Sequence, residues 1–378
     1  MLLPSLLFLA LLLPTAPRAE RESAPAPPGT LLDLVVRPAG AVRRHLCDAG
    51  ATVSFNLELH NRGSRAVHVD AVRFVYVVGE RPLQVERQED FLSGSWVRRE
   101  VRIDPGRHVD WPGVCLAQVP EAATRLRMEL DLTSGMALRR RRATQTLEVP
   151  IVPDPGAVSL RLPFEGYWRV TQGHGCRTNH RIGGLGGEYS WDFAAINRRG
   201  LLASEAYEIT HRNADTAAFG QPVLAPVDGK VVRAVTGVPD NDGLHEFPRR
   251  SLQEDLAQPD WIFGNHVILE AQPGAYVLLG HLQQSSISVK AGDMVRRGVP
   301  LARCGNSGNT FVPHLHLQVM DRPDPADPTV RGVPARIEDY VEFRAAGEGP
   351  ARDVLRRQVE SGDPGEGTLV LAPASSIK

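Results

Sequence analysis

The chain has 378 residues, with 43 Lys and Arg against 44 Asp and Glu, a formal net charge of −1. The length predicts two domains, each large enough for its own core, and the charge balance excludes binding to nucleic acid or membranes through overall basicity. A hydrophobic content of 42% with 23% charged residues excludes wholesale disorder, and 35 Gly with 30 Pro predict turns between short strands.

Residues 1–19 open with an apolar run broken by Pro4 and Pro14. It is too short and too interrupted for a comfortable membrane span, so it reads as a secretory signal cleaved near Ala19, with export to the periplasm or beyond. Two features run against this reading: no Lys or Arg precedes the apolar run, and Pro17 stands where a small residue is preferred. No later stretch approaches the ~18 apolar residues that a span requires, so no transmembrane segment is expected in the mature chain. Residues 20–30 form a polar, Pro-rich linker.

A β-rich, non-catalytic domain is expected over residues 31–152. Val53, Phe55, Leu57 and Leu59 alternate with polar residues, which is the period of a half-buried strand. After a turn at residues 61–64, further strands are expected over residues 67–78, 126–132 and 146–152, giving a sandwich-like unit. Arg139 to Arg142 read as a solvated turn.

Pro153, Asp154 and Pro155 mark a boundary, and a second mostly-β domain is expected over residues 157–345. Residues 223–232 read as strand, turn, strand, with Asp228 and Gly229 as a hairpin signal. Residues 264–270, 275–282 and 313–319 are further strands. The tail, residues 346–378, is expected to hold a helical piece around 352–360 and then a disordered end.

The four cysteines, Cys47, Cys115, Cys176 and Cys304, contain no C-x-x-C pair. In an oxidising compartment, bridges Cys47–Cys115 and Cys176–Cys304 would give one disulfide per domain; four reduced, buried thiols are the alternative.

The chemistry concentrates in the second domain. His314 and His316 are two apart in a strand, so both imidazoles face one site. His281 ends another strand. Asp192 opens the apolar run Phe193 to Ile196 and needs a partner if buried. His180 lies upstream. Two imidazoles and one carboxylate form a known ligand set for catalytic zinc, leaving a fourth position open.

With these residues in order, residues 160–324 resemble the lysostaphin-type zinc metallopeptidases that cut peptidoglycan peptides. The matching stretches are GYWRVTQG (166–173), Asn179 with His180, YSWDF (189–193), PVLAPVDGKV (222–231), GHL (280–282), GDMVRRG (292–298), GNSG (305–308) and PHLHLQV (313–319). The resemblance implies an antiparallel β-sheet peptidase domain with one Zn2+ per chain, held by His180, Asp192 and His316. It also implies that His281 and His314 are non-ligand catalytic histidines. The commonest family pattern places its first ligand four residues before the aspartate, where this chain has Glu188. Glu188 and His174 therefore stand as rivals to His180. Insertions at about residues 200–219 and 239–260 read as loops walling a groove.

Competing chemistries fit less well. Cys304 lies in a turn rather than at a helix N-terminus that would acidify a thiol, GNSG is not a G-x-S-x-G elbow, and His245 with Glu246 lacks the second His of H-E-x-x-H. The alternative from a different class is a degenerate peptidase-fold module that binds and activates other wall hydrolases. Every expected ligand position is filled, which favours an enzyme.

Overall fold

The computed structural model describes residues 30–37, 41–47, 50–87, 101–135, 140–153, 158–174, 176, 180, 185–204, 206–241, 258–327, 330–346 and 353–372. The signal over residues 1–19, nearly all of the linker, most of the second insertion and the last six residues lie outside them. Close contacts divide the chain into two units. The first holds the described residues up to His45 and from Ala51 to Pro153; the second holds Leu46 to Gly50 and the described residues beyond Asp154.

The first unit consists of nine strands: β1 (Asp33–Arg37), β2 (Val42–Cys47), β3 (Gly50–His60), β4 (Val67–Val78), β5 (Arg81–Arg87), β6 (Val101–Ile103), β7 (His108–Leu116), β8 (Arg125–Ser134) and β9 (Arg141–Pro153). Its strand order is β1-β3-β2-β9-β8-β4-β5, with β6 on β4 and β7 on β3. Alternation explains the packing: Leu126, Met128, Leu130 and Leu132 of β8 point inward, while Arg127 and Glu129 between them pair outward with Glu148 and Arg73. Phe55 of β3 meets Phe74 of β4 edge to face, centroids 6.0 Å apart, so two groups of strands face each other across one core. Arg140, Arg141 and Arg142 are exposed at the start of β9.

The second unit contains β10 (Val158–Arg161), β11 (Gly166–Gln172), β12 (Trp191–Ala195), β13 (Pro222–Leu224), β14 (Gly229–Val235), β15 (Asn265–Gln272), β16 (Ala275–Leu282), β17 (Met294–Val295), β18 (Pro300–Arg303), β19 (Leu315–Met320), β20 (Ala335–Ala346), β21 (Asp353–Gly362) and β22 (Leu369–Ala372). Its main sheet runs β10-β20-β22-β11-β12-β19-β16-β15-β14-β17, with β21 on β20, and β13 and β18 form a separate pair. All pairs are antiparallel except β10 with β20. Helices among the described residues are single turns, α1 (Tyr207–Thr210) and α2 (Pro259–Phe263), with one 3-10 turn at Asn213–Asp215. None is long and apolar enough to cross a membrane.

One face of the central strands builds the core. Trp191 and Phe193 of β12, Leu315, Leu317 and Val319 of β19, and Val277 and Leu279 of β16 are all buried in one cluster with Phe164 and Trp168. The alternate residues, Asp192 and Ala194, His316 and Gln318, therefore share the opposite face.

Two expectations fail here. β13 and β14 are not a hairpin: β13 pairs with β18, and β14 with β15 and β17. Asp228 caps the backbone N–H of Arg297 at 2.7 Å instead of closing a tight turn. Gly229 is required because a Cβ there would lie 2.6 Å from the carbonyl oxygen of Glu270. Nor is the expected helix around 352–360 present among the described residues. Asp353 to Glu360 fall in β21, an edge strand whose exposed polar run lacks the alternation that signals a strand, so pairing with β20 overrides local propensity. Arg357 there reaches Glu342 of β20, which is buried, at 2.7 Å. Beyond it β22 lies inside the sheet, between β20 and β11.

Phe193 is fully buried and stacks edge to face on Phe164 at 5.1 Å. Phe193→Ala is expected to cost about 3–5 kcal/mol in a denaturant titration of the chain. A loss below ~1 kcal/mol would contradict this core assignment.

Candidate metal centre

Asp192 and His316 are cross-strand partners on β12 and β19, and Gly280 of β16 is opposite His316 on the other side. His180 approaches from the loop before β12. That approach depends on Gly187, where a Cβ would sit 2.5 Å from the His180 carbonyl oxygen.

The three side chains converge. Nε2 of His180 lies 3.0 Å from one Asp192 oxygen, and Nδ1 of His316 lies 3.0 Å from the other. One donor atom from each of His180, Asp192 and His316 falls within 4.8 Å of the others. Tetrahedral zinc with bonds near 2 Å places its ligand atoms about 3.3 Å apart, so the donor set and its spacing suit that ion. Outer contacts also fit. Nε2 of His316 donates to Gln318 Oε1 at 2.9 Å, leaving Nδ1 as the lone-pair side, and Gln318 Nε2 donates to the Leu185 carbonyl at 3.0 Å, which fixes the amide. Nδ1 of His180 is buried with no hydrogen-bond partner among the described residues.

Two further histidines flank the cluster. The ring of His281 is 4.6 Å from that of His314 and 5.8 Å from that of His316. Its Nδ1–H donates to the Ser307 carbonyl at 2.9 Å, so Nε2 is the free acceptor. His281 also has φ of 58°. A non-glycine residue there carries about 1–3 kcal/mol of strain, held in place by the Gly305 N–H on its carbonyl at 3.0 Å. His314 donates Nδ1–H to the Val312 carbonyl at 2.8 Å, and its Nε2 is 3.6 Å from Asp192.

Electrostatics divide these groups. Burial alone would raise the Asp192 carboxyl, but the charges and hydrogen bonds of His180 and His314 hold it well below the usual range. Burial, with the charges of His314 and His316, pushes His281 well down and keeps it neutral. Burial also lowers His316, against the opposing pull of Asp192. For His314 burial acts downward, yet Asp192 outweighs it and the imidazole is raised.

The rival residues are placed elsewhere. Glu188 accepts the Gly332 N–H at 2.6 Å. His174 packs on Trp191, ring centroids 4.0 Å apart, with Nδ1 3.1 Å from Asp363. Sequence reasoning missed Gln318, although it shares the parity of His314 and His316 in H-x-H-x-Q. It also missed Ser307, which acts through its backbone and leaves no side-chain signal.

The cysteines correct another expectation. Cys304 is a free, buried thiol, so it makes no bridge with Cys176; Cys115 and Cys176 are both disulfide-bonded. Nor are all four thiols reduced. The side chain of Cys47 lies outside the described residues.

Residues 210–328 match the family model described as Peptidase family M23. The second unit thus carries an M23 peptidase domain, the class to which the lysostaphin-type resemblance points. The match includes His281, His314 and His316 and begins after His180 and Asp192. No curated protein matches the chain. Among solved structures, the catalytic domain of lysostaphin from Staphylococcus simulans is 21% identical, covering 44% of this chain and 88% of that one, with a TM-score of 0.24. A putative peptidase M23 from Pseudomonas aeruginosa is 15% identical over 77% of this chain and 93% of that one, TM-score 0.27. The M23 metalloprotease pseudoalterin from the deep sea is 14% identical over 55% and 99%, TM-score 0.29. The assignment to the class rests on the family match, and these overlaps carry no part of it.

Burial pushes the Cys304 thiol far above its ordinary value. Iodoacetamide is therefore expected to leave Cys304 unmodified in the native chain and to alkylate it after denaturation, as read by peptide mass spectrometry. Rapid native alkylation would show that the thiol is accessible.

Proposed function

We propose that the second unit is a zinc endopeptidase that hydrolyses peptide bonds of peptidoglycan, with His180, Asp192 and His316 holding one zinc ion per chain. The observation that carries this reading is the convergence of two imidazole nitrogens and one carboxylate within 4.8 Å, flanked by two further histidines in a domain matched by the M23 family. Zinc in such a site polarises a scissile carbonyl and lowers the pKa of water towards ~7.

The chain's own residues supply the proton traffic. His281, with Nδ1–H committed to Ser307, offers Nε2 as the acceptor for a proton from the attacking water. His314, raised by Asp192, turns Nε2 towards the cluster, where its protonated form donates to developing negative charge or to the leaving amine. The exposed side chains of Phe311 and Val312, just before His314, offer an apolar surface to a bound peptide. We place the activity in the bacterial envelope, on the reading of residues 1–19 as an export signal, and treat the first unit as a non-catalytic module.

The test is mass spectrometry of peptidoglycan fragments after digestion by the full chain, with and without a zinc chelator. New peptide-derived termini are expected only without chelator, and added zinc should restore them. His316→Ala should lose zinc and hydrolysis together, whereas His281→Ala should retain one zinc per chain and lose about 10²–10⁴-fold in rate. A wild-type chain that binds zinc but leaves the fragments unchanged would instead be a binding module.

A further inference from the structure

A second buried polar assembly lies behind the two non-ligand histidines. Asn213 comes from the 3-10 turn in the first insertion, Asn241 from the segment after β14, and Asn306 and Thr310 from the loop between β18 and β19. All four are buried, Asn306 completely. We propose that Asn213, Asn306 and Thr310 are positioning residues for His314, forming a hydrogen-bonded chain that begins in the insertion and ends on the imidazole.

The contacts link in series. Nδ1 of His314 faces the Val312 carbonyl at 2.8 Å and the Thr310 hydroxyl at 3.1 Å. A carbonyl only accepts, so Nδ1 carries the proton and shares it with the hydroxyl oxygen. The one proton of the Thr310 hydroxyl has two acceptors in reach, the Val312 carbonyl at 2.9 Å and Asn306 Oδ1 at 3.1 Å, and Asn306 Nδ2 donates to Asn213 Oδ1 at 2.9 Å and to the Asn241 carbonyl at 3.0 Å. Asn213 Nδ2 donates to the same carbonyl at 2.6 Å. Asn241 Nδ2 returns to the carbonyls of Gly308 and Thr310 at 2.8 and 3.0 Å, so the loop is gripped at Asn306 and again beyond it.

A fully partnered buried amide network is rigid, and it penalises the loss of any member because the groups left behind have no water to turn to. An apolar filling would pack the same loop but could not fix the rotation of an imidazole. The last link of this network is the ring whose other nitrogen lies 3.6 Å from Asp192. The insertion therefore does more than wall a groove, because Asn213 reaches from it to the loop that aims His314.

The inference rests on the endopeptidase reading for its kinetic consequence, but not for its spectroscopic one. The experiment compares full-length wild type with Thr310→Val, Thr310→Ser and Asn213→Ala. It measures zinc content, kcat and KM on a soluble cross-linked muropeptide, and solvent exchange of the His314 Nδ1–H by NMR on 15N-histidine protein. Thr310→Val and Asn213→Ala should each keep one zinc, lose about tenfold in kcat at unchanged KM, and speed Nδ1–H exchange about tenfold. Thr310→Ser should restore both. If Thr310→Val does not fold, Asn306→Asp reads the same link, since it keeps the acceptor for Thr310 and removes the donor to Asn213. Unchanged exchange in Thr310→Val and Asn213→Ala would overturn the proposal whatever the activity. A wild type that does not cleave, yet shows the expected exchange pattern, would overturn the endopeptidase reading and leave the hydrogen-bonded chain standing.

Discussion

Asp192 places a carboxylate inside a sheet, on a strand buried along its whole length, and the surrounding architecture meets the demand that this creates. A buried charge with one partner removed costs about 3–5 kcal/mol. Here Nε2 of His180, from the loop before β12, lies 3.0 Å from one oxygen. Nδ1 of His316, from the neighbouring strand β19, faces the other at 3.0 Å and, with its Nε2–H given to Gln318, needs a proton or a cation between them. The register of β12 against β19 cannot slip by one residue without sending Asp192 into the cluster of Trp191, Phe193 and Leu315. The apolar core and the charged site are thus opposite faces of one constraint: what packs the first fixes the geometry of the second.

The histidines around this carboxylate differ because their outer contacts differ. Nδ1 of His316 faces the carboxylate because its Nε2 is committed to Gln318, while the Nδ1 atoms of His281 and His314 are committed to backbone carbonyls. Those carbonyls belong to a loop held by the side chains of Asn241 and Asn306 and by the Asp240 carboxylate, which accepts the Asn306 N–H at 2.8 Å. Asn265 illustrates the economy: its side chain bonds both the N–H and C=O of Val238 and the carbonyl of Leu282, tying three segments at one buried position.

Much of this was legible in the sequence because it follows from period and polarity. Alternation in residues 53–59 and 126–132 announced β structure, and H-x-H in an apolar strand announced two imidazoles on one face. Asp192 stood out as a charge within an apolar run. The remainder depended on what lies far away in the chain. Residues 353–362 have the composition of a helix and become a strand only because β20 offers an edge. Asp228 and Gly229 look like a hairpin, yet Gly229 answers to the backbone of Glu270, 41 positions on, as the numbering shows. Asn213 and Asn306 are 93 residues apart, and nothing local marks either as a partner of the other. The state of Cys304 depended on its neighbours in space rather than on spacing.

The position of β22 has a consequence for how the chain is made. Leu369 to Ala372 insert between β20 and β11, two strands synthesised earlier, and β11 is the direct neighbour of the strand that bears Asp192. The turn leading into β22 also supplies the Pro364 carbonyl to the Trp191 indole at 3.2 Å. The sheet therefore joins β20 to β11, one strand away from Asp192, only once residues 369–372 are in place. A chain cut before Leu369 would carry every histidine of the site on a sheet that lacks the strand joining β11 to β20.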